Sequence, residues 1–374
     1  MNKKKTTKKR NVKPLDYWLL YTILILLAIG VIMVYSASSY SAMVKEGDSM
    51  AYFKKQGLFA IIGLFAMWFI SRIDYHRLKK ITKILALVTF FALVAVYFFQ
   101  PINGARRWIR LGPLSFQPSE LAKYAVVIIL AYVITKKGER IKEFWKGVIP
   151  CFLIGGFFAG LILAQKNLSI AAVTGFVTFI MVFVAGARKR FMFGIITPII
   201  LGLGAFFTLF EDYRRRRFLN FTNPWKDPSG DGYQLIQSFY ALGAGGVTGL
   251  GIGQSRQKTL YMPEPHNDFI FAIIGEELGL IGCTVVILLF VFFVYRGIKI
   301  SMEAKDEYGT LLAVGITSII GLQAIINIAV VTGSMPVTGV PLPFISYGGT
   351  ALVFNLMAMG ILLNISRQRN KKTN

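Results

Sequence analysis

One short stretch, Tyr261-Met262-Pro263-Glu264-Pro265-His266-Asn267-Asp268-Phe269, gathers more chemistry than any other part of the chain. Two prolines stiffen it. Polar and ionisable groups crowd its end, and an apolar run over 269–295 follows at once. A carboxylate at the mouth of such a run is costly unless it has a task. Asp268 reads two ways: as a helix N-cap, for which it has the right type and place, or as a general base at the outer face of a membrane. Glu276 and Glu277 lie further along the same run. Eight helical steps set Glu276 about 80° round and about 12 Å along from Asp268, too far for a paired acid and base across one bond. Flanked by Gly275 and Gly279, the two glutamates read as a structural polar cluster that meets cations from a neighbouring helix.

A second group lies earlier. Gly104-Ala105-Arg106-Arg107-Trp108-Ile109 is followed by Phe116-Gln117-Pro118-Ser119-Glu120-Leu121-Ala122-Lys123. Pro118 suits the first turn of a helix, and Glu120 suits its positive N-terminal end. Glu120 and Lys123, three residues apart, share a face. They are either a structural ion pair inside a bundle or the lining of a polar cavity that brings Lys123 to an anionic substrate. Arg106, Arg107 and Trp108 are either an interfacial anchor with snorkelling arginines or a phosphate grip, since guanidinium forks match phosphate oxygens. Arg214, Arg215, Arg216 and Arg217 pose the same choice, and not all four can point one way.

The elements that must position these groups are membrane helices. The 374 residues are 55% hydrophobic with 31 Phe and 36 Gly, and mean hydropathy is +0.57. Apolar runs of about 20 residues recur, the signature of an all-α polytopic integral membrane protein. Ten spans are expected, over 17–37, 56–71, 82–99, 118–135, 147–164, 169–186, 191–210, 269–295, 308–331 and 350–366. A net charge of +24 would by itself suggest nucleic acid. Its placement excludes that, because most of the 42 Lys and Arg fall in short clusters between alternate spans. By the positive-inside rule this puts both termini in the cytoplasm. Residues 1–15 and 367–374 are basic tails beside an anionic leaflet of membrane lipids, the first of them expected to be disordered. A single membrane domain, 16–366, lies between them. The first apolar run is too long for a cleaved signal. Cys151 and Cys283 both lie in apolar runs and suggest neither metal nor disulfide. His76 and His266 are too few for a histidine metal site.

Two connections are too elaborate to be plain loops. The extracellular loop 211–268, between spans seven and eight, holds the arginine run, Asn223-Pro224-Trp225, Gly230-Asp231-Gly232 and a glycine-rich run over 243–253. Within it 234–242 reads as a short amphipathic helix lying in the interface. The segment 336–350, with three prolines and three internal glycines, joins spans nine and ten as a re-entrant loop. Such backbone survives at membrane depth only where protein or a water-filled cavity covers it. It is either a tight structural loop or a wall of a substrate site.

Taken together the motifs resemble the FtsW/RodA/SpoVE family, the SEDS proteins of cell shape, division and sporulation. The likeness runs from about 16 to 366. It rests on Asn327 and Gly333 leading to Leu342-Pro343-Phe344-Ile345-Ser346-Tyr347-Gly348-Gly349. It rests equally on Gln254-Ser255-Arg256-Gln257-Lys258, the Pro263–Phe269 stretch and Gly275-Glu276-Glu277-Leu278-Gly279. The Gln-Ser-Arg-Gln-Lys segment is more similar to the FtsW and SpoVE branch than to RodA.

The resemblance implies a peptidoglycan glycosyltransferase of the bacterial cytoplasmic membrane, at the division septum or in sporulation. It would polymerise lipid II with a class B penicillin-binding protein, among other divisome proteins. Asp268 matches the family's catalytic base. Arg106, Arg107, Trp108, Gln117, Glu120 and Lys123 match its polar central stretch. Lys258, His266, Ser346, Tyr347 and Gly348 join them as expected substrate contacts. Lys123, Arg106, Arg107, Lys258 or a divalent cation, Mg or Mn, would answer the leaving pyrophosphate, and no other cofactor is expected. The chain departs from the family at Gln165-Lys166-Asn167-Leu168-Ser169-Ile170, where Gln-Pro-Asp-Leu-Gly-Thr is common, so no carboxylate is required there. Thr350 stands for a serine, and Asn267 for a threonine. Two other functions remain open at this stage: a lipid II flippase, and a non-enzymatic scaffold for a penicillin-binding protein.

Overall fold

The computed structural model describes residues 14–369, apart from 102–103, 113, 211 and 231. The tail 1–13, residues 370–374, Asp231 and the Arg214 side chain lie outside that description. The protein is an all-α polytopic membrane protein. Nine of its described helical segments are long and apolar enough to cross a membrane. They include α1 (Tyr17–Glu46), α2 (Ala51–Arg72), α3 (Leu78–Ala95), α4 (Pro118–Lys137) and α5 (Ile149–Ala164). The tenth expected span is α6 (Leu168–Val184), shorter at 17 residues. Next, α7 (Lys189–Phe191) runs through a π turn into α8 (Thr197–Leu209) as one span. The last three spans are α11 (Ile270–Met302), α12 (Glu307–Val331) and α13 (Gly349–Arg367).

The ends of these helices are written in the local sequence. The Asp16 carboxylate accepts from Leu19 N–H to start α1, and Gly47 closes it in the left-handed region. Asp306 accepts from Gly309 N–H to start α12, and Asn167 accepts from Ile170 N–H to start α6. That last contact explains why the turn needs no carboxylate: an asparagine oxygen caps as well as an aspartate oxygen does. One hairpin interrupts the helices. Strands β1 (Ile109–Leu111) and β2 (Leu114–Phe116) pair antiparallel around Gly112, whose φ of 62° suits a tight turn.

α4 lies at the centre of the bundle, buried on nearly all sides, while the Lys189–Leu209 span stands at the periphery. The two ends of the described chain meet. Asp16 N–H donates to Ser366 Oγ at 3.2 Å, and the Asp16 carboxylate is paired with Arg296 and Arg369. Both ends therefore lie on one face, together with the Tyr75 turn, where Tyr75 N–H donates to Asn364 Oδ1.

The long loop 211–268 is ordered around two helices, α9 (Asp212–Thr222) and α10 (Tyr233–Gly245). α10 covers the stretch expected to be amphipathic. Its buried face, with Leu235, Ile236, Ser238 and Ala241, packs on the bundle. Ser238 Oγ donates to Val331 O at the end of α12, so the buried stripe faces protein. α11 breaks at Gly279, with φ 65° and ψ −165°. The loop after α10 is spliced into this break. Leu250 and Gly251 N–H donate to the Glu276 and Glu277 carbonyls, and Leu280 and Ile281 N–H donate to Gly246 O and Val247 O. Four backbone groups of α11 at the broken turn thus find partners in this loop, as a break inside a membrane requires.

Candidate active site

Asp268 is not the cap of α11. That position belongs to Phe269, and the helix starts at Ile270. With the capping role gone, the reason for a half-buried carboxylate at 268 lies in its surroundings. Its backbone is held firmly: three consecutive carbonyls of this loop each accept a hydrogen bond from a different partner. His266 O accepts from Tyr347 N–H at 2.9 Å, Asn267 O from Ser346 Oγ at 2.7 Å, and Asp268 O from Asn327 Nδ2 at 2.7 Å. The re-entrant loop 336–348 is thereby fastened to the 264–269 loop. Its Gly339 lies against the carboxylate, so close that a Cβ there would stand 3.1 Å from Asp268 Oδ2.

Two arginines reach this carboxylate electrostatically, Arg217 from α9 and Arg107 from the segment before β1. Arg217 donates to Val337 O at 3.3 Å. Arg107 is gripped by the turn between α5 and α6, giving Nε to Gln165 O at 3.3 Å and Nη2 to Lys166 O. Lys166 adopts φ 61°, a conformation costly for a non-glycine residue. The same turn reaches the re-entrant loop, where Ser169 Oγ donates to Thr338 O at 2.6 Å. Burial raises the Asp268 carboxyl to about 6, and the neighbouring Glu264 pushes the same way, while Arg217 and then Arg107 pull it down. The result is a carboxylate that titrates close to physiological pH within the electrostatic reach of two guanidinium groups, an arrangement compatible with accepting a proton.

The other expected contacts separate into three groups. Ser346 and Tyr347 act on the Asp268 loop through the bonds above, and Gly348 N–H leans on Gln56 of α2 at 3.4 Å. His266 is 3% exposed and packed between Tyr52 and Tyr347, with ring centroids 4.5 and 5.6 Å away. Burial lowers it to about 4, with Lys45 acting in the same direction, so it is neutral at pH 7 and no phosphate-binding cation. Glu120 and Lys123 form the i,i+3 pair at 2.6 Å, with Gln323 Oε1 accepting from Lys123 at 2.9 Å. Lys123 is 1% exposed, and Glu120 and Gln323 line a small cavity of about 20 Å³ roofed by Pro341 and Phe344. Arg106 is exposed and donates to Tyr97 O. Trp108 and Gln117 are half-buried beside the hairpin and at the mouth of α4.

Lys258 departs from its expected role. Its ammonium is buried and paired with Glu277 at 3.0 Å, with Ser36 Oγ at 3.4 Å. A cation neutralised inside the protein has no charge left for pyrophosphate. Glu276 and Glu277 do form a structural cluster, but its cation, Lys258, comes from the long loop 211–268 rather than a neighbouring helix. Glu276 accepts from Ser255 Oγ and from Arg256 N–H. Because Asp268 lies outside α11, its separation from Glu276 does not follow helical spacing. Glu276 faces the 255–257 loop. Arg217, Asn327 and Gly339 were legible only as motif members. Among the described residues, no three His, Cys, Asp or Glu side chains stand close enough to make a preformed metal site.

The profile of the cell cycle protein family FtsW/RodA/SpoVE matches residues 17–371. This chain belongs to that family. It is 47% identical to stage V sporulation protein E of Bacillus subtilis, over 97% of this chain and 99% of that one. It is 42% identical to a probable peptidoglycan glycosyltransferase FtsW of a Geobacter species, over 96% and 98%. A solved chain from a study of polymerisation and crosslinking by a peptidoglycan synthase complex superposes with a TM-score of 0.79, at 29% identity, covering 96% of this chain and 99% of that one. Thermus thermophilus RodA gives a TM-score of 0.71 at 25% identity, covering 96% and 98%. The SEDS architecture thus carries the Asp268 site on a bundle shared with these relatives.

Proposed function

We propose that this protein is a peptidoglycan glycosyltransferase that polymerises lipid II at the outer face of the cytoplasmic membrane, with Asp268 as general base. The observation that carries this reading is the Asp268 carboxylate, held at its backbone, raised to about 6 and faced by Arg217 and Arg107. The acceptor is the 4-hydroxyl of the GlcNAc on one lipid II. The donor is the anomeric carbon of the MurNAc that ends the growing chain, linked α to a polyprenyl pyrophosphate. Asp268 takes the hydroxyl proton as the oxygen attacks. The C–O bond to pyrophosphate breaks as the β-1,4 bond forms, and polyprenyl pyrophosphate leaves with the electron pair. One inversion suffices, so one carboxylate suffices. The leaving group needs positive charge more than a proton, and Arg107 and Arg217 stand where they can supply it. A Mg or Mn ion carried in by the pyrophosphate would add to that charge. Activity that survives a chelator would leave the arginines as the whole supply. A class B penicillin-binding protein is the partner proposed for crosslinking, in division or sporulation.

The test is glycan-strand formation from purified lipid II, with a penicillin-blocked class B partner present. General-base catalysis is worth about 10²–10⁴-fold in rate, so Asp268→Asn and Asp268→Ala are expected to fold and to make almost no polymer. A folded Asp268→Asn protein with near-normal turnover would defeat the assignment.

A further inference from the structure

We propose that Asn327 is a positioning residue for this reaction, a clamp that sets the Asp268 carboxylate against the Gly339 wall; the proposal rests on the reading of Asp268 as base. Asn327 is 1% exposed, near the end of α12. Its one amide nitrogen donates twice, to Asp268 O and to Val340 O, both at 2.7 Å. Those carbonyls belong to the two loops that face each other across the site. Gly339 precedes Val340 directly and is the residue the carboxylate lies against. A single rigid group therefore fixes the gap between base and opposite wall.

Two features separate a clamp from ordinary packing. The carboxamide oxygen, Asn327 Oδ1, is buried without a partner among the described residues. A group chosen to fill space would be apolar, because an unmet buried acceptor costs free energy. What this side chain supplies is its pair of donors. The second feature is the origin of the contact. His266 O and Asn267 O are held by residues of the re-entrant loop itself, whereas Asp268 O is held from a membrane helix. The residue that carries the base is thus referenced to the scaffold. One turn back, Gln323 on the same face of α12 receives Lys123, so α12 is fixed in rotation at that point.

The experiment compares full-length Asn327→Asp, Asn327→Gln and Asp268→Asn with the unaltered protein, with the partner present and lipid II as substrate. Asn327→Asp is isosteric and loses both N–H donors, keeping at most one O–H when protonated. Small misplacement of a catalytic group costs about 10²-fold, so kcat is expected to fall by about 10- to 100-fold while KM stays within about twofold. The acid limb of the pH profile is expected to move as well. The groups facing Asp268 are Glu264 on its own loop, Arg217 on α9 and Arg107 before β1, and a displaced carboxylate meets them at altered distances. Asn327→Gln keeps the donors on a longer arm and is expected to recover part of kcat. If Asn327→Asp keeps kcat and the pH profile, or loses only KM, the clamp is refuted while an inactive Asp268→Asn leaves the base in place. If Asp268→Asn is active, both readings fall. Where Asn327→Asp does not fold, Asn327→Ser is judged by the same readouts. Failure of that variant to fold makes the residue merely structural and overturns the proposal.

Discussion

At the scale of single residues, the proposed role of Asp268 as base predicts the reaction's pH dependence. A base works only when deprotonated. Because the folded carboxyl sits near 6 rather than at its ordinary 3.8, polymerisation should rise with pH through a midpoint of about 6. Glu264→Gln removes the neighbouring charge that raises it and should move the midpoint down. Arg217→Ala should move it up and lower the plateau. Turnover measured from pH 5 to 8, expected to bracket the shift by about one unit, checks both signs. Stability runs the other way. Between about 4 and 6 the folded state binds more protons than the unfolded one, so the Asp268 contribution falls as pH rises. The protein is active where this group stabilises it least.

Lys258 makes the opposite kind of prediction. Removing one partner of a buried pair leaves an uncompensated charge and costs about 3–5 kcal/mol. Lys258→Met should therefore lower the melting temperature in detergent, and Lys258→Met with Glu277→Gln should recover much of the loss. If Lys258→Met lost activity with an unchanged melting temperature, Lys258 would belong to the site after all.

At the scale of elements, the splice at the α11 break deserves the closest test. Gly279 sits at φ 65° and Gly249 at φ 81°, each against the other's strand of backbone. A Cβ at either would collide with main chain that cannot move without breaking the exchanged hydrogen bonds. Left-handed backbone costs about 1–2 kcal/mol for an alanine, and the collision adds to it. Gly279→Ala and Gly249→Ala are expected to destabilise the folded protein and loosen the 246–258 loop, read as a lower melting temperature and faster proteolysis there. Ala at Gly243, where a Cβ meets nothing, is the control. Hydropathy revealed α11 as a helix because its run is continuous in composition. The break was hidden, since one glycine in an apolar run looks like any packing glycine. Only the arrival of a second glycine-rich segment at the same place makes Gly279 a gap. α10 was legible as amphipathic for the same reason. Its apolar stripe faces the bundle because Gly245 allows contact with the Gly275 carbonyl, a contact between residues 30 apart in sequence.

At the scale of the whole molecule, the meeting of Asp16, Arg296, Ser366 and Arg369 puts both described ends on one face, and the positive-inside rule predicts that this face is cytoplasmic. A cysteine at Lys45 or Tyr261 should then react with an impermeant maleimide on intact cells, and one at Lys305 only after permeabilisation. Cys151 and Cys283 are buried and free, so background labelling should be low. Labelling of Lys305→Cys from outside would reverse the topology.

Sequence alone located the apolar spans in order, because a run of about twenty apolar residues matches the thickness of a membrane; among the described residues, nine of them form helices long enough to cross one, and the tenth is shorter. It also pointed to Asp268, because a carboxylate beside such a run demands an explanation. It could not decide which charges serve the site. Lys258, Lys123, Arg107 and Arg217 are all cations near outer loops, and their roles differ by what each one touches. A carboxylate inside the protein claims Lys258 and Lys123, while backbone carbonyls hold Arg107 and Arg217 within reach of Asp268. Those partners come from other elements, through contacts as distant as Arg217 to Val337, and a charge has no fixed role until its counter-charge or its solvent is known. Folding supplied that, by closing the loops at 268 and 339 over α12.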